Sequence, residues 1–420
     1  MQITISCLLM LIKRLRYLLL MAGLVFITSV SAQSRKEERA SNTPPYSDVA
    51  KQRLLIRITA HYIHTISQGQ IDMDSAVRIP CKLYGLSPLL VYNEGYSDGK
   101  PSAASSLLDA GKVETARALL TRLRDEARLR LLIELGSYLV FRPGTAKADL
   151  QEASKYINEA IEISTNKANQ WKIEGLTLQA FLLEQSGLTE ESQEKFAQVV
   201  TLAGQTENRK ALAQALLNAG RSYHYGHPTR LSNFEKALSI FQTLQAREKE
   251  IETLSEIIIE HFAFKRFKVA EQLIRKTLDL ETRINFHHRQ YAYDALAYLA
   301  FRKAAYTNSI FYSNKSLSSL ASKADSVFIG LFYTRQANAY IHLQKFDEGL
   351  SWLTKALENQ SAETRLYWYK AFLTKTQVLS NMNRGAEALP LLKETGSRYP
   401  PFRCLKRCIF RFLWGKRIKI

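Results

Sequence analysis

Glycine and proline are sparse in this chain, at 18 and 10 of 420 residues. That scarcity argues against a turn-rich all-β protein and against collagen-like or low-complexity organisation. Cysteine is scarcer still: of 4 in all, Cys81, Cys404 and Cys408 follow the N-terminal apolar segment, an odd set with no disulfide framework. Cys404 and Cys408 lie one helical turn apart and would need ligands from elsewhere to hold a metal. Histidine does not supply them, since His287-His288 adjoin a linker and His224-x-x-His227 lies in a tight turn without an acidic third ligand. Asp72-Met73-Asp74 opens like a calcium loop, but the sixth position is Val77 rather than glycine and the twelfth is Leu83 rather than Glu. These acids suit the cap of a helix beginning near Ser75 instead. No phosphate-binding glycine loop, nucleophile elbow or zinc-protease helix occurs. The expectation is therefore a non-enzyme with no catalytic residues, no cofactor and no metal.

What the chain has in excess is positive charge, with a formal net charge of +19. Most of it is terminal. Lys13, Arg14 and Arg16 carry +3, and seven basic residues from Arg403 to Lys419 carry +7, which leaves +9 over the long middle. A nucleic-acid partner is not expected from that distribution. At the N-terminus, Lys13-Arg14-Leu15-Arg16, an apolar run from Tyr17 to Ile27 and then Val30-Ser31-Ala32 form an export signal over residues 1–32. The run is short for a membrane span, which needs about 20 residues; an uncleaved anchor using more of residues 5–30 is the alternative. Residues 33–48 are polar and end in Thr43-Pro44-Pro45, which predicts a disordered spacer.

The middle of the chain is periodic. In Tyr333 to Glu358, Ala337 and Tyr340 sit a helical turn apart, a turn follows at Gln344-Lys345, and Gly349, Leu353 and Ala356 fall at i, i+4 and i+7. This predicts a helical hairpin whose small residues let the two backbones approach. Taking Gly349 as anchor, equivalent second-helix positions are Ala116, Ala153, Ser192, Arg230, Ala270, Ser309, Gly349 and Ala388, spaced 37, 39, 38, 40, 39, 40 and 39. The first-helix partners Ala180, Gly220, Ile258, Ala297, Ala337 and Thr376 precede their anchors by 12, except that Gly220 precedes by 10, where Tyr225-Gly226-His227-Pro228 makes a tight turn. A single hairpin cannot bury its apolar face alone, so a regular period over eight units predicts an all-α solenoid of stacked hairpins over residues 101–400.

The pattern of bulky, small and aromatic residues on the first helix and small, large and small on the second resembles the tetratricopeptide repeat (TPR) family. Leu216, Gly220 and Tyr223 carry it, as do Tyr333, Ala337 and Tyr340, and Ala153, Ile157 and Ala160. The period of about 39 exceeds the family's, and because the spacing within a hairpin is regular the extra residues belong in longer helices or in linkers between hairpins. A broader resemblance is carried by Asp74-Ser75-Ala76, Tyr84-Gly85-Leu86-Ser87, Tyr92-Asn93-Glu94-Gly95-Tyr96 and Leu135-Gly136-Ser137-Tyr138. This run is similar to the exported repeat region of Bacteroidetes-type sensor histidine kinases, whose kinase part this chain does not contain.

In the TPR family the binding groove is lined by first-helix residues around the small position. By that resemblance Arg221, His224, Tyr291, Asp294, Tyr298, Thr334 and Asn338 are the expected contacts for a protein or peptide ligand. Val49 to Gln68 has helical spacing and is expected to cap the solenoid, and the Pro- and Gly-bearing stretch up to Lys100 completes an N-terminal cap with an irregular segment over residues 49–100. The tail, residues 401–420, interleaves aromatic and basic residues without one acid. It reads either as an anchor attracted to anionic lipid or as the altered end of a longer gene. The chain is thus expected to be exported and periplasmic or inner-membrane-associated, and to work as a protein-binding scaffold: the sensor region of a truncated kinase or, alternatively, a stand-alone envelope adaptor.

Overall fold

In a computed structural model of the chain, the described residues run from 49 to 398, leaving out 68–70, 72, 87–90, 92–103, 143–144, 165–168, 323 and 360–364. The expected export signal, the spacer, the loop at 92–99 and the basic tail lie outside the described residues. The chain divides into two compact units, residues 1–52 and 53–420. Of the first, only the opening residues of one helix are described; the repeats belong to the second.

Among the described residues all regular structure is helical. The helices are α1 (Val49–Ile66), α2 (Met73–Tyr84), α3 (Ser105–Asp109), α4 (Val113–Ala118), α5 (Asp125–Phe141), α6 (Lys147–Ser164), α7 (Asn169–Gln185), α8 (Thr189–Gly204) and α9 (Arg209–Arg221). They continue as α10 (Pro228–Thr243), α11 (Arg247–Ala263), α12 (Phe267–Arg283), α13 (Gln290–Arg302), α14 (Tyr306–Ser318), α15 (Ile329–His342), α16 (Phe346–Glu358), α17 (Arg365–Asn381) and α18 (Gly385–Arg398). From α5 onward each odd helix pairs with the next even helix, and each even helix also packs on the next odd one. The extra residues of the long period appear where expected. Helices α5 to α8 and α10 to α12 hold 16 to 18 residues. Helices α13 to α16 shorten to 13 or 14, and a 3₁₀ turn, Ala324–Phe328, fills the link between α14 and α15.

The anchor register is the seam of these hairpins. Ala116, Ala153, Ser192, Ala270, Ser309 and Ala388 are all buried, as are the first-helix positions Ala180, Ile258, Ala297, Ala337 and Thr376. Small size is required there by contact. A Cβ on Gly220 would stand 2.4 Å from the Phe234 ring of α10, and one on Gly349 would stand 2.7 Å from Ile341 Cγ1 of α15. The core is a chain of local clusters handed from hairpin to hairpin, as in Ala213, Leu217, Phe234, Ala237, Phe241 and Ile257.

Many turns share one device. Gly187, Lys265, Ala304, Gln344 and Asn383 between paired helices, and Gln245 and Asn285 between hairpins, take left-handed backbone with φ between 52° and 78°. In each, the residue after it donates its N–H to a carbonyl five residues back, as Arg266 does to His261 and Lys345 to Tyr340, at 2.8 and 3.0 Å. This closure satisfies the orphan carbonyls of a helix end and turns the chain sharply. The α9–α10 turn is built differently, with Gly226 at φ 82° and Pro228 opening α10.

Candidate functional site

One anchor breaks the rule of small residues. Where the other hairpins place Ala, Ser or Gly, α10 places Arg230, which is only 4% exposed. The shortened turn folds its carbonyls toward this guanidinium. Nη1 donates to Gly220, Arg221 and Tyr223 at 3.4, 3.2 and 3.0 Å. Nε donates to Glu260 at 2.6 Å and Nη2 to Glu256 at 2.9 Å. The Tyr225 and Phe234 rings flank it at 4.5 and 4.9 Å.

Glu252, Glu256 and Glu260 succeed one another at four-residue spacing on α11, so three carboxylates share a buried stripe. Such a stripe persists only with cations against it. Arg221 donates to Glu252 at 2.6 Å and to Glu256 at 2.8 Å, and Lys249 donates to Glu252 at 2.9 Å. Helix α1 adds two more groups: Arg57 lies 3.7 Å from Glu252, and His61 Nδ1 lies 3.4 Å from Glu256. Burial would raise both carboxyls, yet Lys249, Arg221 and Arg57 hold Glu252 far below the usual range. Glu256 is likewise raised by burial but taken down to about 2 by protonated His61, Arg221 and Arg230. At His61 burial prevails over the pull of Glu256, and its pKa falls to about 4.

The same helix reaches the next hairpins. Tyr62 donates its hydroxyl to Asp294 at 2.7 Å, and its ring lies 4.7 Å from Tyr291 and 6.4 Å from Phe332. Asp294 also receives the fork of Arg335, whose Nε donates to Oδ1 and whose Nη2 donates at 2.8 Å to the oxygen that accepts from Tyr62. At the end of α1, Lys370 Nζ meets the Ile66 carbonyl at 3.0 Å, where the helix end favours a cation. Helix α2 is tied in as well. Tyr84 donates to Asp325, a carboxylate that also receives Gln290 at 2.8 Å and lies 2.9 Å from His288.

Helix α1, expected to cap the solenoid, thus lies against its first helices α11, α13, α15 and α17. The reason is a match between elements that periodicity within one helix does not reveal: its Arg57, His61 and Tyr62 meet the acids of α11 and α13. Of the seven residues expected from the TPR resemblance, Tyr291, Asp294, Tyr298, Thr334 and Asn338 do come together, lining a cavity of about 760 Å³ under α1. Arg221 stands in the adjoining ion-pair network, and His224 is exposed in the α9–α10 turn beside His227. Tyr291 and Asp294 are buried, and Thr334 spends its hydroxyl on the Gly330 carbonyl at 2.7 Å. Sequence reasoning missed Arg57, His61, Tyr62, the three acids of α11, Glu281 and Arg335. Two signals were present: an Arg in a register of small residues, and three Glu at one helical spacing.

No protein-family model matches the chain, and no curated protein matches it in sequence. Solved structures do share its fold. The apo form of RapI superposes with a TM-score of 0.56 at 13% identity, over 73% of this chain and 86% of RapI. A signal transduction ATPase from Pyrococcus horikoshii, described as having a tetratricopeptide repeat sensor, gives 0.56 at 14% identity, over 83% of this chain and 52% of its own, about half its length. A tetratricopeptide repeat protein from Parabacteroides merdae gives 0.43 at 19% identity, over 68% of this chain and 98% of its own. The fold is that of a TPR-type solenoid of helical hairpins.

Proposed function

We propose that this protein is a non-catalytic scaffold whose row of first helices binds a helical segment of another protein or a peptide. The observation that carries this is the seated helix α1. Its C-terminal backbone, two basic side chains and one tyrosine hydroxyl all find complementary groups on helices far along the chain, as the pairs Arg57–Glu252, Tyr62–Asp294 and Ile66–Lys370 show. A surface that satisfies a helix in this way has the elements of helix-in-groove recognition: apolar anchors at helical spacing with charges fixing the register. The repeats of the Pyrococcus horikoshii protein are described as a sensor, which agrees in kind with a ligand-receiving role.

The finer form of the proposal comes from the resemblance to exported kinase sensor regions and from residues 1–32: the scaffold works outside the cytoplasm and receives its ligand there as the sensor part of a signalling protein. The basic residues of 402–420 favour the alternative, an envelope adaptor held at an anionic membrane surface. No helix among the described residues is long and apolar enough to cross a membrane.

The test is helix exchange in trans. In the full-length double variant Arg57→Glu, Tyr62→Glu, like charges oppose Glu252 and Asp294 and α1 is displaced. A labelled synthetic peptide with the sequence of residues 49–67 then binds the variant saturably, at least ~10-fold more tightly than it binds the wild-type chain, a difference of about 1.4 kcal/mol. A folded variant that binds the peptide no better than wild type does refutes the proposal.

A further inference from the structure

The cavity under α1 is not filled by that helix. It is roofed by Ile58, His61, Tyr62, Thr65 and Ile66 and walled mainly by apolar side chains of α11, α13 and α15. Its volume of about 760 Å³ falls within the range of small-ligand sites, roughly 300–1,000 Å³. The polar groups along its wall are mostly engaged. Asp294 holds Tyr62 and Arg335, Lys370 donates to Ile66, and the hydroxyls of Ser255 and Thr277 bond carbonyls of their own helices.

Glu281, in the last turns of α12, is different. It is 2% exposed, lines the cavity, and its Oε2 has no hydrogen-bond partner. A buried carboxyl without a partner is costly and is found where something else satisfies it. Arg289 acts on it only at a distance, and burial pushes it up to about 8. The roof residues His61 and Thr65 also leave side-chain polar atoms without a hydrogen-bond partner, but of the two carboxyls lining the cavity, Asp294 and Glu281, only Glu281 has an oxygen left so. A buried carboxyl at the edge of an apolar chamber selects a ligand with the opposite arrangement, an apolar body carrying one donor head.

We propose that the cavity beneath α1 is a binding site for a small apolar monoamine, of the alkyl or arylalkyl class, whose ammonium pairs with the Glu281 carboxylate while its body fills the chamber between Ile258, Phe262, Ala295 and Leu331. As the ammonium enters, the buried Glu281 acid releases its proton to solvent and becomes the carboxylate of an ion pair, and the aromatic rings of Phe262 and Tyr298 favour a cation nearby. Helix α1 stays in place as the roof. The inference therefore does not depend on helix exchange.

Calorimetric titration of the full chain with n-octylamine, 1-octanol and octanoate tests it. The expected result is saturable one-to-one binding of the amine, at least ~10-fold tighter than the alcohol, with octanoate weaker than both. In Glu281→Gln the preference for amine over alcohol vanishes while the alcohol still binds, and in Ala295→Trp, which fills the chamber, none binds although the melting curve shows a folded chain. Absence of saturable amine binding to wild type overturns the proposal, as does an amine preference that survives Glu281→Gln. If Ala295→Trp does not fold, Leu331→Trp fills the same chamber from α15 with the same expected loss.

Discussion

Glu281 and His61 line the same cavity and titrate in opposite senses on folding. Burial raises Glu281 from 4.5 to about 8, so between those values the folded chain keeps a proton that the unfolded chain has released. Its contribution to stability is complete below pH 4.5 and is lost as pH rises toward 8, by up to about 5 kcal/mol. His61 falls from 6.5 to about 4, chiefly through burial, so the unfolded chain binds the proton first as pH drops. Its contribution is complete above pH 6.5 and is lost on acidification toward 4, by up to about 3 kcal/mol. The two slopes oppose one another below pH 6.5, and Glu281 acts alone above it. Urea unfolding at about pH 6.5 and about pH 8.5 should show wild type losing stability over that interval and Glu281→Gln losing much less. Parallel behaviour of the two chains would mean that the Glu281 carboxyl is solvated. Neither residue was legible from the sequence, because Glu281 and His61 each look like the polar side of an amphipathic helix until the partner elements are placed.

At the scale of the element, the hairpins were legible almost position by position. The anchor register from Ala116 to Ala388 is a contact pattern, small side chain against backbone or ring, and contact within a hairpin is local in sequence. The turns were legible in place but not in conformation. Lys265, Ala304, Gln344 and Asn383 take the left-handed region although none is glycine, because the five-residue closure demands it and the packed helices on either side enforce it. Ala304, at φ 57°, has no side chain able to offset the strain of about 1–2 kcal/mol. Ala304→Gly removes that strain and restores about 0.5–1 kcal/mol of unfolded-state entropy as a cost. The net expectation is a gain of about 0.5–1 kcal/mol in chemical denaturation with an unchanged m-value, and a loss of stability would place the strain elsewhere. Arg230 shows the limit of the register. It keeps the period and breaks the chemistry, and the sequence alone does not say that Gly220 and its neighbouring turn carbonyls are arranged to receive it.

For the molecule as a whole, the repeats could be read because their contacts run between neighbours, whereas the site could not be fully read because its contacts do not. Five of the seven expected face residues line one cavity, since a first-helix face is set by the period. What occupies that face came from elsewhere in the chain: Tyr62 reaches Asp294 and Tyr84 reaches Asp325 across more than 200 residues, and no pattern of spacing marks such pairs. The central claim is that α1 is a seated ligand on a recognition face rather than a permanent part of the core. Native-state hydrogen exchange of the full chain separates the two. If α1 is seated, its amides exchange through a local opening of lower free energy than those of α11 and α13, and Tyr62→Phe speeds exchange in α1 while leaving the repeats unchanged. Amides of α1 that exchange only with global unfolding, together with α11 and α13, would contradict the account.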